Sequence, residues 1–341
     1  MSSVVQISTY LGNVCFSLGA LASNITVVQR VKRWISQEDF ESQSKDKIKT
    51  LWPTEGNIQI EQMSIRYRKG LPFVIRNLNL TVNAGEKLGI LGRTGSGKST
   101  LVLALLRVLE IEKDEKGKRF GFIRIDGVKI HKLSLQTLRR NLVTIPQDPY
   151  LLEGSLSFNV DPLNVHSHVE IIDSLKKVNF FATLTEDTEI NQSNTFSKSG
   201  EDLIHSLKIE PNGSNLSLGQ RQLICIARAL VQKPKILITD EATASIDLKT
   251  DQLIQELIKT ELKNTTVLTI AHRLNTIIEY DKIVVLKNGK KVEEGSPSEL
   301  LESPGYFYEF VQEGGKDYLE MMKGKAKAHT KEEWMTIEGN H

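Results

Sequence analysis

Residues Gly92-Arg93-Thr94-Gly95-Ser96-Gly97-Lys98-Ser99-Thr100 leave little freedom in what their stretch of chain can do. They follow the pattern Gly-x4-Gly-Lys-[Ser/Thr] of a phosphate-binding loop. The glycines let the backbone curl until successive N–H groups point inward and cradle a β-phosphate. Lys98 sets a point charge against the β- and γ-phosphates, and the Ser99 hydroxyl stands where it can ligate Mg²⁺. Lys87 to Leu91 reads as a buried strand entering the loop. Ser99 to Leu109 reads as a helix leaving it, with its positive end on the phosphates. A flexible Gly/Ser turn has no need of that frame. The segment reads as a nucleoside triphosphate site.

Short apolar runs at Leu142–Ile145, Ile236–Thr239 and Thr266–Ile270 have the look of central parallel strands. Alternating patterns at Asn57–Glu61 and Asn77–Val82 suit half-buried strands instead. Asp126-Gly127 and Asn288-Gly289 are hairpin turn signals. Between Pro162 and Asn215 the pattern turns helical, as an insertion in an α/β core would. Glu112 to Arg119 reads as a solvated charged loop, and Gly314 to His341, dense in Lys and Glu, as a surface helix.

Across 341 residues, 44 Lys and Arg face 42 Asp and Glu, a net charge of +2. There is no broad basic field, so the chain is not expected to bind nucleic acid. Cys15 and Cys225 match no zinc or redox spacing, and the folded part is expected in a reducing cytosol. Met1 to Gln29 holds no charged residue, and Arg30, Lys32 and Arg33 follow at once. That length suits a membrane span with its basic end on the cytoplasmic side. Its Ser, Thr, Asn and Gln content fits a member of a helix bundle better than a solitary span, and an amphipathic leader remains the plainer alternative.

Phosphate chemistry also needs a metal anchor, a water activator and a γ-phosphate sensor. Ile236-Leu-Ile-Thr-Asp240-Glu241 offers a carboxylate for Mg²⁺ and a second one to polarise the attacking water. His272 follows the strand ending at Ile270, where it can reach a γ-phosphate edge. Gln147 follows another core strand, and its amide can ligate Mg²⁺ and orient water. Asn215-Leu-Ser-Leu-Gly-Gln-Arg-Gln222 opens a helix with Ser217, Gly219 and Gln220 at its N-terminus, an anion site suited to a phosphate held by a partner domain. Singly, each is also what an ordinary strand end or helix cap provides.

Taken in order, the P-loop, Gln147, the Ser217 segment, Asp240-Glu241, Ser245-Ile-Asp247 and His272 resemble ATP-binding cassette (ABC) proteins over roughly Ile58 to Phe310. Ile65-Arg-Tyr-Arg68, Pro146-Gln-Asp-Pro149, Asn159-Val-Asp-Pro162 and Asp240-Glu-Ala-Thr-Ala244 narrow the resemblance to the second nucleotide-binding domain of subfamily C, the multidrug resistance-associated type. The resemblance implies a P-loop NTPase core of RecA-like α/β type with an antiparallel β subdomain and a helical signature subdomain. It implies that ATP and Mg²⁺ are held by Gly92, Thr94, Gly95, Ser96, Gly97, Lys98, Ser99 and Thr100, with Gln147 and Asp240 completing the metal shell. Glu241 would be the general base and His272 the γ-phosphate sensor. Tyr67 would stack on adenine, and Asp247 would contact the partner across a dimer seam.

The same resemblance makes Met1–Gln29 the last transmembrane helix and divides the chain at residues 1–50, 51–313 and 314–341. It implies an integral membrane protein with a cytoplasmic cassette, paired with a second nucleotide-binding domain and transmembrane domains that move an unidentified substrate. With one candidate span, the chain is expected to be a piece of a longer transporter or a subunit that assembles. Leu218 departs from the family's Leu-Ser-Gly-Gly-Gln, and its bulk would weaken the site this segment completes on the partner. The alternatives are an ATP-gated regulatory or channel cassette and a stand-alone soluble ABC ATPase.

Overall fold

The structure is a computed structural model that describes residues 2–36, 52–113, 117, 119–186, 204, 206–240, 248–271 and 273–338. The chain divides into two units, Met1–Ser44 and Lys45–His341. Among its described residues the first is one helix, α1 (Ser2–Ser36), whose stretch Gln6–Lys32 has a mean hydropathy of 1.5 and is long and apolar enough to cross a membrane.

The second unit is built on two sheets. Strands β1 (Ile58–Ile65), β2 (Ile75–Val82), β4 (Phe122–Ile125) and β5 (Val128–Lys129) pair antiparallel in the order β2-β1-β4-β5. The other sheet runs β12-β11-β3-β10-β9-β6, from β3 (Lys87–Leu91), β6 (Leu142–Ile145), β9 (Ile236–Asp240), β10 (Thr266–Ile270), β11 (Lys282–Lys287) and β12 (Lys290–Gly295). Only β12 is antiparallel to its neighbour there. The continuous apolar runs arise because both faces of the parallel strands are covered. Ile236 and Ile238 enter one core together with β1 and β2, while Leu237 between them enters another. The first core also takes Leu101, Ala104 and Leu105 of α2 (Lys98–Leu105), so the antiparallel sheet and the P-loop helix share one side of the parallel sheet.

The opposite core belongs to the helical region: α3 (Leu135–Asn141) leads into it, then α4 (Leu156–Val160), α5 (His168–Lys177), α6 (Phe180–Glu186) and α7 (Leu218–Gln232), with a small ladder of β7 (Gly154–Ser155) on β8 (Lys208–Ile209). α8 (Leu248–Thr260) adds Ile254, Leu257 and Ile258 to the same core. A third core gathers Ile283 and Val285 of β11 with Ile277 of α9 (Leu274–Ile277), Leu301 of α10 (Pro297–Glu302), Phe307 and Val311 of α11 (Tyr306–Gln312), and α12 (Lys316–Glu338). These are the α/β core, antiparallel subdomain and helical subdomain that the motifs imply.

Three local expectations change. The helix after the P-loop stops at Leu105 rather than Leu109, because Arg107 adopts a positive φ of 51°. Its buried guanidinium donates to Ile130 O (3.1 Å), Leu133 O (2.7 Å) and Glu110, which anchors the break. The charged run from Glu112 is tied down at its start: Arg66 bridges Glu112 at 2.8 Å, and Arg119 reaches Glu110. The tail helix is more than a surface element, since Leu319, Met322 and Ala326 are buried in the third core.

Candidate nucleotide site

β3 delivers the chain to the P-loop at its carboxyl end, the edge where open α/β sheets bind ligands. Gly92 has φ 156°, and a Cβ there would lie 2.4 Å from both Leu286 O and the Ser96 hydroxyl, so no larger residue fits. Gly97 closes the loop with φ 103° and caps α2, on whose first turn Lys98, Ser99 and Thr100 stand. Lys98 is buried, and its Nζ donates to Gly92 O at 2.6 Å, which holds the ammonium inside the loop's curl. Ser99 is exposed beside it. Ser96 N–H donates to Arg93 O at 3.0 Å, setting the turn that carries Thr94 and Gly95.

A brace not legible in the sequence supports this loop. The Asn288-Gly289 turn of the β11–β12 hairpin lies against it: Gly289 N–H donates to Ser96 O at 3.1 Å, and Gly289 O accepts from Arg76 N–H at 2.8 Å. A Cβ at Gly289 would sit 1.9 Å from Val74 O. The dipeptide announces a hairpin, but nothing local says that its turn packs on the phosphate loop.

Sheet order places Gln147 and Asp240 along the same edge. Ala271 N–H, just past β10, bonds Ile90 O at 3.2 Å, and Ile270 faces Asp240 across the β10–β9 ladder. Ile145 of β6 is paired with Thr239, so Gln147, exposed two residues on, and Asp240, half-buried at the end of β9, emerge on adjacent strands. Asn159 secures the loop after Gln147, bonding both the N–H (2.9 Å) and the carbonyl (2.8 Å) of Leu152. Glu241, Asp247 and His272 lie outside the described residues.

Tyr67 leaves β1 beside the same helix. Its hydroxyl is 3.2 Å from Thr100 Oγ1, and 52% of the residue is exposed.

The Ser217 segment is a capping box at the start of α7. Ser217 Oγ accepts from Gln220 N–H at 3.2 Å, and Gln220 Oε1 accepts from Ser217 N–H at 2.9 Å. The Gln220 side chain is turned inward and also donates to Thr183 O of α6 at 3.1 Å, so its role in the fold is to lock the helix start to its neighbour. Ser217 itself is exposed and its hydroxyl only accepts in the cap, while a Cβ on half-buried Gly219 would meet the Ser217 hydroxyl at 4.0 Å. Leu218 is half-buried between them.

Asp240, Ser99 and Gln147 would offer one carboxylate and two neutral oxygens, hard donors of the kind taken by Mg²⁺, an ion that keeps phosphate oxygens and water among its ligands. A curled loop with an inward lysine, opening at the carboxyl edge of a parallel sheet, defines the class as a P-loop nucleotide-binding domain. Residues 75–244 match the family described as ABC transporter. The chain is 41% identical over 316 residues to the ABC transporter ATP-binding protein/permease VMR1 of Saccharomyces cerevisiae, covering 90% of this chain and 19% of that protein. It is 41% identical over 318 residues to human ATP-binding cassette sub-family C member 3, covering 92% and 19%. A bacterial Atm1-family ABC exporter solved with ATP bound superimposes with a TM-score of 0.67 at 28% identity, over 77% of this chain and 42% of that one. The chain belongs, through this ATP-binding domain, to the ABC transporter family, and its relatives include subfamily C members. It spans about a fifth of the length of the relatives it matches.

Proposed function

We propose that the chain is the ATP-hydrolysing motor domain of an ABC exporter, coupling closure on ATP to movement of transmembrane helices. The observation that carries this reading is the buried Lys98 curled into its loop, with Gln147 and Asp240 on nearby strand ends of the same sheet edge. In this reading the loop N–H groups and Lys98 hold the β- and γ-phosphates, and Tyr67 lies against the adenine. Ser99, Gln147 and Asp240 would hold Mg²⁺, which when bound supplies charge neutralisation on the phosphates. Glu241 takes the proton of the attacking water, and His272 holds the γ-phosphate edge. Ser217 and Gly219 face the ATP of a second nucleotide-binding domain, with Asp247 at the seam.

The division of labour follows: residues 1–50 as a membrane helix and its extension, 51–313 as the cassette, and 314–341 as a charged tail whose first turns pack on α10 and α11. Tyr150, Leu152 and Phe158, exposed just past Gln147, give an apolar surface on which transmembrane domains can dock. The protein is accordingly placed in a membrane with this domain cytoplasmic.

The test is equilibrium binding of a fluorescent ATP analogue, with Mg²⁺, to the full chain in detergent. Saturable binding that Lys98→Met lowers about tenfold or more is expected from removal of a charge-assisted phosphate contact. No binding, or binding indifferent to Lys98, overturns the reading.

A further inference from the structure

Three buried hydroxyls run in line beneath the carboxyl edge of the core sheet. Thr239 Oγ1 donates to Thr269 Oγ1 at 2.7 Å, and Thr269 Oγ1 lies 2.9 Å from the Tyr280 hydroxyl. Thr239 and Thr269 are directly paired across β9 and β10. Thr239 immediately precedes Asp240, and Thr269 is three residues before His272. Tyr280 comes from a different part of the fold, the turn between α9 and β11, and is 3% exposed.

Stability alone does not account for this arrangement. The two threonines follow directly on apolar runs, Ile236-Leu237-Ile238 and Val267-Leu268, at buried positions. Valine would occupy nearly the same volume there without any hydroxyl to desolvate. Paired buried hydroxyls contribute little net stability relative to an apolar replacement. What they add is direction: apolar contact tolerates sliding, whereas a hydrogen bond fixes distance and angle. The direction imposed here runs across the two strands whose ends carry the site.

We infer that Tyr280 is a positioning residue, which through Thr269 and Thr239 fixes the end of β9, and with it the Asp240 carboxylate, against the end of β10. The inference rests on the reading of Asp240 as a Mg²⁺ anchor. Asp240 is one peptide from the chain's last hydroxyl, so a small slip of β9 moves the carboxylate and leaves the P-loop's own grip on phosphate untouched. Loss of the chain is therefore felt in the contribution of the metal to binding, not in binding of the nucleotide itself.

The experiment titrates a fluorescent ATP analogue into the full chain with excess Mg²⁺ and again with EDTA, taking the ratio of the two dissociation constants as the metal gain. Tyr280→Phe keeps the ring and its packing; Thr269→Val removes the central hydroxyl, and Thr269→Ser restores it. Tyr280→Phe and Thr269→Val are expected to cut the metal gain by about 3- to 10-fold, the worth of one hydrogen bond. Their EDTA affinities should stay within about 2-fold of wild type, and Thr269→Ser should keep the wild-type gain. An unchanged metal gain in Tyr280→Phe, equal losses with and without Mg²⁺, or a Thr269→Ser variant as impaired as Thr269→Val, overturns the inference. A wild-type chain that binds no nucleotide overturns the ATP-site reading instead, which is a distinct result.

Discussion

The Tyr67 hydroxyl and Thr100 Oγ1 stand 3.2 Å apart, so the antiparallel sheet and the phosphate loop are linked at one point. The link matters because Tyr67 leaves a strand of one sheet while Thr100 stands on the first turn of the helix that the other sheet feeds. On the proposed reading, Tyr67, half-exposed and held at its hydroxyl end by a phosphate-loop threonine, would offer its ring to a flat base.

Tyr67→Ala is expected to raise the dissociation constant for MgATP by about 5- to 150-fold, since stacking of a base on an aromatic ring is worth ~1–3 kcal/mol. Tyr67→Phe, which loses only the hydroxyl contact, should stay within about 5-fold. Stacking reads no base edge, so GTP and ATP should lose similar amounts in titrations of the same variant.

Gly289 and Gly127 share φ 75°, but only Gly289 has backbone where a Cβ would go, 1.9 Å from Val74 O. Gly127→Ala should therefore cost about 1–2 kcal/mol of stability, the strain of the left-handed backbone alone. Gly289→Ala adds a clash that the hairpin can relieve only by moving off Val74, which also strains its bond to Ser96 O, and should cost more than about 3 kcal/mol. Chemical denaturation of the two variants side by side measures the difference; equal losses would show that the hairpin turn is not held tightly against Val74.

Asp126 gathers the start of the domain: its carboxylate accepts from the N–H groups of Thr54 (2.8 Å), Glu55 (3.0 Å), Gly56 (3.0 Å) and Asn57 (2.8 Å). Burial pushes its pKa up, but the four donors together outweigh that and hold it below the usual aspartate value. A depressed folded pKa stabilises the fold above the unfolded pKa of ~3.9 and loses that contribution as pH falls through the lower folded value. Asp126→Ala should cost about 2 kcal/mol at neutral pH. The gap between wild type and variant should be flat from about pH 5 to 8 and close only below ~3.9; thermal unfolding across that range checks it, and a gap that closes near neutrality would contradict it.

The parts of this fold that depend on near neighbours were legible in the sequence. Lys87 to Leu91 entering the P-loop, the Asp126-Gly127 and Asn288-Gly289 hairpins and the three central parallel strands follow from local periodicity and turn chemistry. Contacts between distant segments were not. Nothing around Gly289 predicts its bond to Ser96, nothing in the Lys- and Glu-rich tail singles out Leu319 and Met322 as core, and Thr239 and Thr269 look like ordinary strand threonines until pairing sets them opposite each other. Arg107 ends its helix through bonds to carbonyls 23 and 26 residues away, beyond the reach of helix propensity. At the site, the loop and Asp240 were readable as types of residue in order, but the strand order that aligns Gln147 with Asp240 came only from the sheet.

Phosphate release from MgATP by wild type and by Glu241→Gln, measured together in membranes that contain the protein, tests the motor reading most directly. Glu241→Gln keeps the volume and hydrogen-bonding reach of the side chain but cannot take a proton. The Glu241→Gln protein is expected to bind MgATP as wild type does and to release phosphate more slowly by about 10²-fold or more. Phosphate release at the wild-type rate from the Glu241→Gln protein would contradict it.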